Sequence, residues 1–150
     1  MNPLIADLVP RKNILKIYIS VNRSVDDNNG VQMLSSRQIR LIRRVLRDDK
    51  FRGSTATETL HLWNNVIEGE RKYLYCFKNT ADIHLVTFHP YELGVYRERF
   101  CKMRNGVHKN APCYEYFIDT ANALERFISI DSALVPGESL IREFIGDLKL

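Results

Sequence analysis

Residues 35–53 constrain this chain more than any other stretch. At ~100° per residue, a helix here carries Ile39, Leu41, Ile42, Val45 and Leu46 on one side and Arg37, Arg40, Arg43, Arg44 and Arg47 on the other. Ser35 or Ser36 can cap it, and it is predicted to run through Asp48 or Asp49. Arginines three and four residues apart repel one another by a few tenths of a kcal/mol per pair, so this face calls for anions. The planar guanidinium fork suits phosphate oxygens, and Arg52-Gly53 follows directly, which makes a phosphate-binding surface. Equally, the face can be a solvated one, salt-bridged to Asp48, Asp49 and Glu58.

The remaining segments mix strand and helix. Residues 14–21 are rich in Ile, Leu and Tyr and predict a buried strand, and residues 81–86 predict a second short one. Helices are predicted over residues 55–70, 91–103, 120–130 and 139–145, the last capped by Ser139 and stopped by Gly146. Residues 114–118 fit a strand or an extended loop. Residues 26–30, Asp-Asp-Asn-Asn-Gly, form a turn by their tolerance of unusual backbone angles; the alternative role of Asp26-Asp27 is magnesium binding or proton abstraction. Residues 105–112 form a loop broken by Gly106 and Pro112. The 150 residues fit a single α/β domain, helix-rich and with few strands for a complete doubly wound sheet. They fit part of a larger fold.

Several classes of function are disfavoured. No uninterrupted apolar run approaches the ~18 residues of a membrane span. Asp7 comes early and Arg11, Lys12 and Lys16 late, the reverse of a secretory signal. Three cysteines, Cys76, Cys101 and Cys113, make an odd set without a CxxC pair, which implies reduced thiols and a cytoplasmic location. The four histidines, His61, His84, His89 and His108, have no HxxxH or HExxH spacing, so no metal site is expected. The net charge of +4 favours anionic partners but is too small to argue for nucleic acid. No two of the seven glycines have the spacing of GxxxxGK or GxGxxG, so the chain supplies no glycine-rich phosphate cradle. Trp63, Tyr73, Tyr75 and Phe77 lie near basic residues and could stack bases, though their spacing favours core positions.

The run 41–48, Leu-Ile-Arg-Arg-Val-Leu-Arg-Asp, ending in Phe51-Arg52-Gly53, resembles the arginine-rich lid of the phosphoribulokinase/uridine kinase family. Further stretches are similar to its bacterial nucleoside kinase-like branch: residues 68–73, Ala81-Asp82, residues 91–93, Pro136 and residues 139–146. Residues 16–20 followed by Asp26-Asp27 also fit, so the resemblance runs in order from about Asn2 to Gly146. The sequence departs from the family where Asn28 stands for a His, Gln38 for an acid, Ile67-Glu68 for an Arg-Arg pair and Ser54 for a second lid arginine.

The resemblance implies a partial P-loop-kinase-like, Rossmann-like three-layer fold. The implied chemistry is phosphoryl transfer from Mg-ATP to a hydroxyl of uridine, cytidine or a sugar, with P-loop and catalytic carboxylate on a segment upstream of the matched region. It further implies catalytic roles for Arg44, Arg47 and Arg52, and phosphate or substrate binding by Arg40, Arg43 and Asp48, the last orienting the arginines. The expected partners are nucleotide phosphates, the upstream P-loop segment and further copies of the chain. The chain alone is expected to be inactive and to hold neither ATP nor Mg²⁺. The alternative is a non-catalytic module that binds a nucleotide, RNA or a partner protein.

Overall fold

The computed structural model describes residues 9–147. Residues 1–8, which hold Asp7 and the start of the family resemblance at Asn2, lie outside them.

The arginine-rich segment forms helix α1, Ser36–Arg52. Its N-terminus is closed by a capping box: the Ser35 hydroxyl accepts the Gln38 N–H at 3.3 Å, and the Gln38 Oε1 accepts the Ser35 N–H at 2.8 Å. Gly53 ends the helix at φ 64°, and its N–H bonds the Asp48 carbonyl. Thr55 and Glu58 repeat the capping box at the start of α2, Ala56–Tyr73. The connection is so short that α1 and α2 pack as an antiparallel hairpin.

Strand β1, Ile17–Ser20, precedes the hairpin. Between them, β2, Val25–Asp26, and β3, Gln32–Leu34, pair antiparallel. Their turn is shaped by Asp27, whose Oδ1 accepts the N–H groups of Asn29 and Val31 at 2.9 and 3.0 Å. Strand β4, Ile83–Val86, follows α2 and lies parallel to β1, with Ile17 opposite Ile83 and Ser20 opposite Val86. The chain continues through α3, Glu92–Lys102, α4, Tyr114–Leu124, and α5, Arg142–Ile145. The described residues are therefore a helix-rich mixed α/β arrangement with two small sheets.

Helix α1 is the centre of the core. It packs against α2, α3 and α5, and Ile39, Leu41, Ile42, Val45 and Leu46 are fully buried. Leu60 and Trp63 of α2, Leu93, Tyr96 and Phe100 of α3, and Phe117 and Leu124 of α4 complete it. Contact on three sides leaves the basic face largely covered rather than solvated, although Asp48 does pair with it as expected, through Arg44. Of the five arginines on it, Arg37 alone is exposed, and Arg43 is buried.

Helix α4 also departs from expectation. Residues 114–118 are its first turns, not a strand, because Phe117, Ala121 and Leu124 bury at helical spacing. It stops at Leu124, well short of 130. Beyond it the chain crosses α3 in extended form, with the Ile130 N–H on the Gly94 carbonyl at 3.0 Å. Gly94 permits the crossing, since a Cβ there would lie 2.6 Å from the Ile128 carbonyl oxygen. Helix α5 is shorter than predicted and begins at Arg142; Ser139 sits in the turn ahead of it, its hydroxyl accepting the Ile141 N–H at 3.4 Å.

Candidate functional site: an arginine-lined cleft

A cleft of about 610 Å³ separates β1 from the α1–α2 hairpin. Residues 15–21 form one wall. Arg40, Arg43, Arg44 and Arg47 of α1, with Trp63, Val66 and Glu70 of α2, form the other. Antiparallel packing sets this order: Arg40 is bonded to Glu70, so turns taken in opposite directions bring Arg44 level with Val66 and Arg47 level with Trp63. Tyr73, Tyr75 and Phe77 close the end nearest Arg40. From Arg40 to Arg47 the helix rises about 10 Å.

The arginines differ in what they have left to offer. Arg40 forms a bidentate pair with Glu70 and donates to the Tyr75 hydroxyl at 3.1 Å. Arg43 spends every nitrogen on protein: Nε and Nη2 bond Glu92, Nη2 also bonds the Thr87 carbonyl, and Nη1 bonds the Thr87 hydroxyl. Arg47 donates from Nη1 to Glu143 at 3.0 Å, and its Nε has no hydrogen-bond partner among the described residues. Arg44 makes no hydrogen bond among the described residues; its Nε lies 3.3 Å from Oδ2 of Asp48 without hydrogen-bond geometry. Asp48 is shared, because its Oδ1 also accepts from Arg52 at 2.8 Å.

The balance leaves a positive charge over. Arg40, Arg43, Arg44, Arg47 and Arg52 are five cations, and Glu70, Glu92, Glu143 and Asp48 are the four carboxylates that meet them. Five against four leaves one, and it falls on the pair that shares Asp48. Of that pair, Arg44 lines the cleft and Arg52 does not. Trp63 adds a second unused donor. It lines the same cleft, is 2% exposed, and its indole N–H has no hydrogen-bond partner among the described residues.

Of the residues expected to handle phosphate, the fold thus brings together Arg40, Arg43, Arg44 and Arg47 and leaves Asp48 and Arg52 behind them. Arg43 is a structural residue by its contacts. Arg47 meets Glu143. Asp82 accepts the Lys16 N–H at 2.8 Å and pairs with Arg11, and these two contacts hold its carboxyl below the usual range. Tyr73 and Tyr75, expected in the core, are exposed at the cleft mouth. The β1 wall was not foreseen as part of a site, and Trp63, weighed as a base-stacking residue but favoured for the core, is buried as that spacing suggested. Burial, then the neighbouring Tyr75 and Glu70, push the Tyr18 phenol up, against the pull of Arg40.

Comparison of the chain with protein-family models, with curated proteins and with solved structures returned no match. The cleft residues do not fit Mg²⁺-ATP. Magnesium takes free carboxylates, and the one carboxylate in the lining, Glu70, is held by Arg40. Among the described residues no group of three or more His, Cys, Asp or Glu is placed to hold a metal ion. No described helix is long and apolar enough to cross a membrane.

Proposed function

We propose that the cleft binds a small phosphate-bearing ligand of the nucleotide class, without a metal of its own. The observation that carries the proposal is the pairing of Arg44, the cation left over on the arginine face, with the unpartnered indole N–H of the buried Trp63 in one cleft that Lys16 lines as well. A phosphate at that end satisfies donors that the protein leaves open. The opposite end is neutral at Arg40–Glu70 and aromatic at Tyr73, Tyr75 and Phe77, which suits a base. The spacing of about 10 Å between Arg40 and Arg47 accommodates a nucleoside and its phosphate end to end. The three-layer kinase-like fold and the phosphoryl transfer implied by the resemblance belong to the same proposal, with the triphosphate cradle and Mg²⁺ supplied by another segment.

Titration calorimetry with pyrophosphate and with uridine monophosphate tests it. Binding is expected on the order of millimolar, weakening as salt rises. Arg44→Ala should lower the affinity about fivefold or more. Equal binding by the wild type and Arg44→Ala would remove the assignment.

A further inference from the structure

Among the described residues strand β1 has one strand neighbour, β4. The Lys16 and Ser20 carbonyls accept from Ile83 and Thr87 on that side. The alternation of a parallel ladder then turns the amide groups of Ile17 and Ile19 to the opposite edge, where no described strand pairs with them. That edge lies in the cleft wall, since residues 15–21 all line it. Open edges are ordinarily shielded by charge, proline or a bulge, and Ile17–Ser20 has none of these.

We infer that the open edge of β1 takes up an added strand from an extended acidic segment of a partner protein. Its backbone pairs with Ile17 and Ile19, and one of its carboxylates occupies the phosphate position at Arg44. Strand and phosphate ligand then exclude each other, so the partner regulates the cleft. The charge and the pleat dictate the segment's chemistry. Tyr18 and Ser20 are half-buried where Ile17 and Ile19 are exposed, so the Tyr18 face turns to the arginine wall, and residues of the added strand on that face meet Arg44, whose charge is left over, and are acidic. Ile17, Ile19, Ile83 and Leu85 share the other face, each 40% exposed or more. Residues of the added strand on that side extend an aliphatic surface. The segment therefore alternates acidic and aliphatic side chains, with backbone bonds supplying affinity and the alternation supplying selectivity.

The inference rests on the phosphate-site proposal, and one experiment separates the two. A dye-labelled octapeptide of alternating glutamate and valine is followed by fluorescence anisotropy with the full chain, beside pyrophosphate titrations. Two further peptides carry N-methyl groups, one on the glutamate amides and one on the valine amides, leaving charge unchanged. Binding of the parent peptide, competition by pyrophosphate, and a loss of about tenfold or more for one methylated isomer but not the other are expected. Arg44→Ala should weaken both ligands. Pyrophosphate binding without peptide binding overturns the strand and leaves the phosphate site. Equal affinity of all three peptides also overturns it, since attraction then comes from charge alone. Binding of neither ligand overturns both.

Discussion

Arg43 grips Oε2 of Glu92 with two hydrogen bonds, from Nε at 3.1 Å and from Nη2 at 2.6 Å, with both side chains buried. The same guanidinium bonds Thr87 and lies 4.9 Å from the centre of the Phe144 ring. One side chain of α1 thereby joins α3, the segment after β4, and α5. Removing Glu92 leaves a buried cation without a counter-charge. Glu92→Ala should cost about 3–5 kcal/mol of stability. Glu92→Gln, which still accepts one bond, should cost about 1–3 kcal/mol. Urea denaturation of the three proteins checks the order, and an alanine variant as stable as the glutamine one contradicts the account.

Glu92 and Asp82 should tilt stability with pH in opposite directions. The Lys16 N–H and Arg11 hold the Asp82 carboxyl below its unfolded value of about 3.9. Its contribution is therefore full above that value and lost as pH falls through the lower, folded value. Burial raises the Glu92 carboxyl, against the pull of Arg43. Its contribution is full below about 4.3 and lost as pH rises through the higher, folded value. Unfolding free energies across this range should show Asp82→Asn flattening the acid fall and Glu92→Gln removing the opposing loss. Parallel pH profiles for the two variants would contradict both assignments.

Asp48 divides its oxygens between Arg52 and Arg44 and lies 3.4 Å from the Thr59 hydroxyl, while 3% exposed. Asp48→Asn should lower stability by about 1–3 kcal/mol, because the buried carboxylate that takes bonds from Arg52 and the buried Thr59 hydroxyl is replaced by a neutral amide with one acceptor oxygen. It should also raise pyrophosphate affinity, since Arg44 loses its one nearby carboxylate. Melting curves and calorimetry on one preparation check both effects. A variant that loses stability and anion affinity together contradicts the charge balance drawn at Arg44.

The helix–turn–helix core was legible in the sequence because its signals are local. Ser35 and Thr55 mark the starts of both helices within a residue of where they lie, whereas each helix runs a further turn past its predicted end, to Arg52 and to Tyr73. What those helices bury was less legible. The carboxylates that meet Arg40, Arg43 and Arg47 stand 30, 49 and 96 residues away, and no periodicity within α1 points to them. The hairpin register was available in principle. An antiparallel partner that places Glu70 at Arg40 also places Trp63 near Arg47, which would have put the indole in the site. The length of α4 was misjudged because Ile128 and Ile130 extend its apolar composition, whereas the chain leaves the helix to cross Gly94.

The isolated chain should not phosphorylate uridine or cytidine with Mg-ATP. The cleft has no free carboxylate to accept a proton or hold magnesium, and the sequence has no glycine-rich cradle. A coupled assay for nucleoside diphosphate release checks this. Turnover at ordinary kinase rates, about 1–100 per second, would overturn it.

Arg47 decides whether the arginine face serves a ligand or only the fold. Its bond to Glu143 is a single contact between side chains 32% and 43% exposed, a setting in which an ion pair contributes about 0.2–1 kcal/mol. Its Nε is unpartnered, and it stands level with Trp63 at the proposed phosphate end. Arg47→Ala should therefore lower stability by less than about 1 kcal/mol. It should weaken pyrophosphate several-fold and reduce the dependence of binding on salt. Glu143→Gln should do the reverse to binding, because it removes the carboxylate that competes with the ligand for Arg47. Thermal melts and pyrophosphate titrations of both variants make the test. If Arg47→Ala unfolds early and binds pyrophosphate as the wild type does, Arg47 is a structural residue and the phosphate end shrinks to Arg44 and Trp63. If Glu143→Gln also leaves affinity unchanged, Glu143 does not compete at the site.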